Sequence, residues 1–254
     1  MNDSPTDWDA GTYDATSAPQ QAWADDVLAR LDGLASGARV LDVGCGTGRV
    51  TARICELVPD GEVVALDASP AMAELAREHL AGRATVIEGD VLALYPDAPF
   101  DLIVSTATLH WVKDHDRLWG VLAAALRPGG RLEVQCGGAG NIARVHSVIE
   151  AVSGERAPQL VGWQPWNFAG PQETERRLTA SGFEQVRCWL ADRPTVPEDP
   201  AKFIRTSILP AHLDRLAPEE REPYAAAVVG RVELPLDYVR LNVSAVRGGA
   251  DGAC

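Results

Sequence analysis

Basic charge is scarce in this chain. Across 254 residues, 23 Lys and Arg stand against 36 Asp and Glu, a formal net charge of -13. Affinity for nucleic acid comes mainly from basic groups that neutralise phosphates, so RNA and DNA are not expected partners. The same acidity suits an anionic lipid surface poorly. No apolar run approaches the roughly 18 residues of a spanning helix, so no membrane partner is expected. The opening MNDSPTDWDAG lacks the basic-then-apolar order of a secretory signal, and the expected compartment is the cytoplasm. The five cysteines (Cys45, Cys55, Cys136, Cys188, Cys254) are odd in number, scattered and never spaced C-x-x-C. Neither a disulfide framework nor a zinc site is signalled, and reduced thiols are expected. Internal repeats are also missing.

Hydrophobic residues make up 46% of the chain and charged residues 23%, as in compact globular proteins. The length suits one large α/β domain, or one carrying an inserted cap. After a polar, acidic start to about Tyr13, residues 22–34 place Trp23, Val27, Leu28 and Leu31 at helical spacing. Strands and helices then alternate: strand 39–44, helix 48–57, strand 62–67, helix 70–80, strands 84–90 and 100–106, helix 114–126, strand 131–136. Short apolar strands alternating with helices predict a parallel, doubly wound sheet covered on both faces. Arg127-Pro128-Gly129-Gly130 reads as a helix stop. Further on, the spacing predicts helices over 143–152 and 172–181, a strand over 184–190, a helical stretch over 199–229 and a last strand over 237–246. The expected divisions are an N-terminal helix and lid (1–36), a ligand-binding core (37–138), the rest of the core with insertions near 139–170 and 197–232 (139–246), and a disordered tail (247–254).

The segment V-L-D-V-G-C-G-T-G over 40–48 runs a buried strand into a glycine turn and then a helix. Gly44, Gly46 and Gly48, with Cys45 between the first two, let backbone approach a ligand closely. A dinucleotide fingerprint reads G-x-G-x-x-G; this turn reads G-x-G-x-G, with Asp42 two residues ahead. A carboxylate there repels a pyrophosphate and suits an ammonium or cationic ligand. Asp67 ends the second strand, 19 residues after Gly48, where an acid can accept hydrogen bonds from both ribose hydroxyls. Its other reading is a helix cap, although Ser69 before Pro70 already fills that role.

D-V-G-C-G-T-G resembles motif I of the class I S-adenosylmethionine-dependent methyltransferases, whose cofactor sets its methionine moiety against this turn. The resemblance implies a Rossmann-like seven-stranded sheet, its last strand antiparallel, with helical lid insertions. It also implies that Asp67 is the ribose-binding acid, accompanied by Ala68 and Met72. Gly89-Asp90-Val91 would hold adenine through the Asp90 carboxylate and the Val91 N–H, unless Asp90 simply begins a turn. Ser105, Thr106 and Ala107 close the fourth strand and would face the same ligand.

For the acceptor, His110 and Trp111 follow the fourth strand. In one reading Trp111 walls the methyl-transfer cavity and His110 is a donor to the acceptor, or its base if the acceptor carries a proton. In the other, Trp111 packs on the next helix and His110 is a neutral spectator. Trp163 and Trp166 are pocket walls or loop anchors. Arg205 either pairs with an acceptor carboxylate or is solvated. Tyr13, Gln20 and Trp23 complete the substrate-binding set.

W-D-A-G-T-Y (8–13), Gln20-Gln21, T-L-H-W-V-K-D-H (108–115), F-I-R-T-S-I-L (203–209) and Y-V-R-L-N-V (238–243) resemble the trans-aconitate methyltransferase group. The leading expectation is carboxylate O-methylation of a small molecule by S-adenosylmethionine, without a metal and with S-adenosylhomocysteine as product. O-, N- or C-methylation of a natural product follows, and then a cofactor-retaining enzyme that catalyses a rearrangement or cyclisation. A non-catalytic binding protein is opposed by the intact motif residues. Monomer and homodimer stay open.

Overall fold

The computed structural model describes residues 18–249, with side chains from Trp23 onward. Tyr13, the opening to residue 17, the side chain of Gln20, and residues 250–254 of the expected tail, Cys254 included, lie outside the described residues.

Strands β1 (Arg39–Val43), β2 (Glu62–Asp67), β3 (Thr85–Glu88), β4 (Phe100–Thr106), β5 (Leu126–Gly137), β6 (Phe183–Asp192) and β7 (Val239–Arg247) form one sheet. Their order is β3-β2-β1-β4-β5-β7-β6. β1 to β5 pair in parallel, and β7 runs antiparallel to both β5 and β6. This is a Rossmann-like sheet with the last strand reversed.

Successive side chains of a strand point to opposite faces, so an apolar strand needs a helix on each side. On one face Val40, Val63, Leu102 and Val104 pack with Val27 and Leu28 of α1 (Ala18–Leu28) and Ile54 of α2 (Arg49–Leu57). Ala65 joins them there through Ala76 and Leu80 of α3 (Pro70–Leu80). On the other face Leu41, Leu66, Ile103 and Val134 meet Leu118, Trp119 and Leu122 of α4 (His115–Ala125) and Leu178 of α6 (Pro171–Ala180). Each such buried aliphatic side chain contributes about 1.5 to 3 kcal/mol relative to exposure.

A separate apolar cluster joins the two helical insertions. α5 (Ala143–Arg156) supplies Val145, Ile149 and Val152, while α9 (Pro218–Val229) supplies Tyr224, Ala225 and Val228. Ser153 Oγ and Tyr224 Oη are hydrogen-bonded at 2.8 Å inside it. Trp23 and Tyr238 also join the cluster, tying the insertions to α1 and to the approach to β7.

Three expectations need correction. The first helix spans Ala18–Leu28 instead of 22–34, and Leu31 is buried from a turn in which its N–H meets Leu28 O. Leu126 opens β5 instead of ending a helix: Phe100 pairs with Leu126 and Leu102 with Arg131, and the residues between form a bulge in which Gly129 has φ +76°. The stretch 199–229 divides into α7 (Pro200–Phe203), a π-helical turn (Ile204–Ile208), α8 (Pro210–Leu213) and α9. Pro210 and Pro218 lack the N–H that a continuous helix would use.

Among the described residues no helix is long and apolar enough to cross a membrane, and no His/Cys/Asp/Glu group is arranged to hold a metal ion. Cys45, Cys55, Cys136 and Cys188 are free thiols.

Candidate active site

The parallel strands all end on one edge of the sheet, and the motif residues collect there. Directly after β1, Gly44, Gly46 and Gly48 all have positive φ. At Gly44 (φ +73°) a Cβ would stand 2.1 Å from Thr108 Oγ1, so any side chain collides with the segment that follows β4. The N–H groups of Gly44 and Cys45 donate to Leu66 O at 2.7 and 3.1 Å, fastening the turn to β2. The Cys45 side chain turns inward among Ala65, Ala76 and Leu80, and its carbonyl accepts Gly48 N–H at 3.0 Å, closing the turn. A Cβ added at Gly46 would meet nothing within 4 Å.

Asp42 is fully buried. Thr51 Oγ1 donates to its Oδ2 at 2.7 Å, and Oδ1 has no hydrogen-bond partner among the described residues. Burial, reinforced by the nearby charge of Asp67 and opposed by the Thr51 hydroxyl, pushes its carboxyl up to about 6. A buried acid with one oxygen unsatisfied beside a glycine turn fits a ligand that brings an ammonium group.

Asp67 spans two turns: Gly46 N–H donates to Oδ2 at 2.8 Å and Ser69 N–H to Oδ1 at 2.9 Å. Burial pushes its carboxyl up while these donors pull it down. With the Ala68 N–H as a third donor, the carboxylate keeps capacity for a further hydroxyl. The helix cap is Ser69, which accepts from Met72 N–H at 3.3 Å. The Met72 side chain is buried and Ala68 is exposed. Gly89 N–H donates to Asp67 O at 2.8 Å, bringing β3's end alongside. Asp90 does begin a turn, its Oδ1 accepting Leu92 N–H at 2.8 Å, and it is exposed, whereas Val91 is buried.

After β4 the residues divide by role. Ser105 is fully buried and donates to Val43 O at 2.8 Å, so its hydroxyl joins β4 to β1 instead of facing a ligand. Thr106 pairs with Gln135, and Ala107 takes φ +57° while donating to Gln135 O at 2.7 Å. A non-glycine residue in that region is strained, and such residues gather at ligand sites.

His110 is buried in a 3-10 turn (Leu109–Trp111). Gly137 N–H donates to its Nδ1 at 3.3 Å, so the neutral ring carries its proton on Nε2. Burial, then the charges of Arg240 and His115, holds the imidazole well below its ordinary 6.5. The ring lies 5.7 Å from Phe168 and 5.4 Å from Trp111. Trp166 is buried, 5.9 Å from Trp111 and stacked on Phe168 at 5.4 Å. Lys113 Nζ donates to Gln164 O and Trp166 O, and Asn167 N–H donates to His110 O at 2.7 Å. The tryptophan loop is thus fastened to the segment after β4, and Trp111 packs with this loop instead of on α4.

The other substrate candidates scatter. Trp163 lies edge-on to His212 at 5.0 Å. Arg205 forms a two-pronged pair with Glu222, with Nη2 2.8 Å from Oε1, so its fork is engaged within the insertion. Trp23 is buried, 4.8 Å from Tyr238, with the Arg240 guanidinium 4.4 Å above its ring.

Arg240 is the residue that sequence reasoning missed. It is 1% exposed, stands opposite Gly137 in the β5–β7 ladder, and its charge reaches His110 and Cys136. The signal available was an arginine inside the apolar run Y-V-R-L-N-V, where a buried charge needs a purpose. Phe168 was passed over in the same way.

Comparison with known proteins agrees with this crevice. Residues 40–130 match the methyltransferase domain family. A trans-aconitate 2-methyltransferase from Methylobacterium nodulans is 39% identical over 184 residues, 72% of this chain and 67% of that one. Its counterpart from Methylobacterium radiotolerans is 37% identical over 248 residues, covering 89% of each chain. Among solved structures, phosphoethanolamine N-methyltransferase 2 of Haemonchus contortus in complex with S-adenosyl-L-methionine superposes with a TM-score of 0.65 at 17% identity, covering 94% of this chain and 57% of that one. The glycine turn, the two acids at the ends of β1 and β2, and this kinship place the chain among the class I S-adenosylmethionine-dependent methyltransferases, in the trans-aconitate 2-methyltransferase group.

Proposed function

We propose that the protein transfers the methyl group of S-adenosylmethionine to a carboxylate oxygen of a small organic acid. The observation that carries this reading is the Gly137 N–H on His110 Nδ1. It leaves His110 an Nε2–H donor and takes away the lone pair that a base would use. S-adenosylmethionine supplies a methyl group on a sulfonium, which departs as the neutral thioether S-adenosylhomocysteine. A carboxylate is ionised at neutral pH, so its oxygen forms the new bond to carbon, the ester is neutral and no proton moves.

Asp42 Oδ1 takes the ammonium end of the cofactor, Asp67 the ribose hydroxyls, and Asp90 with the Val91 N–H the adenine. His110 donates to the acceptor carboxylate, and the Arg240 guanidinium beside it favours an anion. Trp111, Trp166 and Phe168 confine the acceptor and exclude water, which keeps the reacting atoms in line. An acceptor that must lose a proton would need a base, and no histidine at this position is free to accept one while Gly137 donates to it.

Trans-aconitate, the acid in the relatives' names, is the first acceptor to assay, within a panel of acids, phenols and amines and with methyl-labelled cofactor. The expected product is a base-labile methyl ester. Label recovered in a base-stable product, or transfer confined to the phenols and amines, would overturn the reading.

A further inference from the structure

His115 closes the segment T-L-H-W-V-K-D-H and opens α4, yet the proposed chemistry makes no use of it. The helix does not need it as a cap, because Asp114 Oδ1 already accepts Arg117 N–H at 2.9 Å. The side chain is nevertheless buried, with Nε2 3.1 Å from Leu109 O. A carbonyl only accepts, so the neutral ring carries its proton on Nε2 and a bare lone pair on Nδ1. That Nδ1 is buried without a hydrogen-bond partner among the described residues.

Leu109 opens the 3-10 turn that carries His110 and Trp111, and its carbonyl also accepts Val112 N–H at 3.1 Å, the bond that closes the turn. One oxygen therefore ties the turn to itself and to the first residue of α4. Behind it the His115 ring stands edge-on to Trp119 at 5.6 Å, and Trp119 is buried in the core on that face of the sheet. His110 is held from two further sides, by Gly137 N–H on its Nδ1 at 3.3 Å and by Asn167 N–H on its carbonyl. A separation of 3.3 Å is at the long end of the hydrogen-bond range, so small movements of the turn decide whether that bond is made.

Simple packing does not account for a histidine here. Replacing it leaves no buried carbonyl unpaired, because Leu109 O keeps Val112 N–H, and an apolar side chain of similar length would avoid burying an unpartnered nitrogen. Charge does not account for it either. Burial first, with Arg177 acting in the same direction, holds the imidazole below 6.5 against the opposing effects of the Leu109 carbonyl, Glu173 and Asp116. The helix N-terminus disfavours a cation as well. What remains is one N–H aimed at one carbonyl.

We propose that His115 is a positioning residue: through Leu109 O it fixes the turn on which His110 and Trp111 stand, and so keeps the His110 Nε2–H aimed at the acceptor. The inference rests on the proposed donor role of His110. Such a contact matters because a misplacement of about 1 Å at the reacting groups can cost on the order of a hundredfold in rate.

The test compares His115→Met with His115→Gln, side chains of similar length of which only the second has an N–H. Imidazole nitrogen NMR of the S-adenosylhomocysteine-saturated protein is recorded for wild type and both variants, with His110→Gln assigning the His110 signals and retained S-adenosylhomocysteine binding certifying each variant as folded. Methyl transfer to an acid acceptor is measured alongside. In wild type the two ring nitrogens of His110 should give widely separated signals, as a ring protonated on Nε2 alone does. His115→Met should draw them together, as Gly137 N–H lets go and the tautomers mix, and should lower kcat/KM roughly tenfold. His115→Gln should return both to near wild type. A His110 spectrum unchanged in His115→Met, changes of equal size in the two variants, or loss of S-adenosylhomocysteine binding in both overturns the positioning role. Signals displaced in His115→Met alone, in an enzyme that methylates phenols or amines and no acid, keep the positioning role and overturn carboxylate methylation instead.

Discussion

The backbone N–H of Gly137, at the end of β5, donates to Nδ1 of His110, 27 positions earlier, at 3.3 Å. One hydrogen bond between neighbouring strand ends therefore determines which ring nitrogen of the proposed catalytic histidine carries the proton.

His110→Gln, which keeps an N–H donor, should lower kcat/KM for an acid acceptor only severalfold, while His110→Ala should lower it by about tenfold to a hundredfold. The histidine is held below 6.5 and is neutral throughout the assay range, so kcat should be flat from about pH 6.5 to 8.5. A base would behave otherwise: a limb rising with pH, and a loss of roughly two to four orders of magnitude in either variant. Steady-state kinetics across pH separates the two.

Cofactor affinity should depend on the ionisation of Asp42. Its carboxyl is pushed up to about 6, and only its charged form attracts an ammonium. Isothermal titration should give a micromolar-range Kd near neutral pH, roughly -8 kcal/mol, weakening towards tenfold per unit as pH falls below about 6. Asp42→Asn should bind weakly and lose that pH dependence. Asp67→Ala should cost about 1.5 to 3 kcal/mol near neutral pH, the scale of hydrogen bonds to a charged group.

Gly44→Ala faces two separable penalties, a positive φ of +73° and a Cβ 2.1 Å from Thr108 Oγ1. The first costs an L-residue about 1 to 2 kcal/mol, and the second adds overpacking of about 1 to 3 kcal/mol. In denaturant unfolding, a double-mutant cycle with Thr108→Gly, which also removes the Thr108 Cβ that would stand 2.4 Å from the added one, should recover the second part and leave the first. Full recovery, or none, would contradict the geometry.

Acid stability should register the buried histidines. His212 is lowered to about 3 by burial first and then by His146 and Arg215. The unfolded chain binds a proton below about 6.5 that folded His212 refuses, so its stabilisation is complete above 6.5 and falls as pH drops towards 3. The slope is about 1.4 kcal/mol per pH unit. Between pH 7 and 5, wild type should therefore lose about 2 kcal/mol more than His212→Phe in urea unfolding. Parallel losses would mean that His212 is solvated in the folded protein.

The glycine turn and its acids were readable because their parts are contiguous. Val40 to Gly48 is a strand, a turn and a helix start in nine residues, and Asp67 and Asp90 sit where the next two strands stop. Boundaries failed where distant partners decide them. Leu126 continues the helical pattern of α4, but pairing with Phe100 takes it into β5. The 199–229 stretch has helical periodicity, yet its prolines and the shared core with α5 break it into pieces.

What the sequence determined by itself is the alternation of strands and helices and the glycine turn with its acids, because backbone preferences and hydrophobic period act within a few residues. Only the tertiary structure decided the acceptor side. Arg205 went to Glu222, Arg240 came to rest beside His110 although 130 residues separate them, and His212 was enclosed by Trp163 and Trp166. Those outcomes depend on which charges and rings share one buried space, and that is settled when the two insertions close on each other over the ends of the strands.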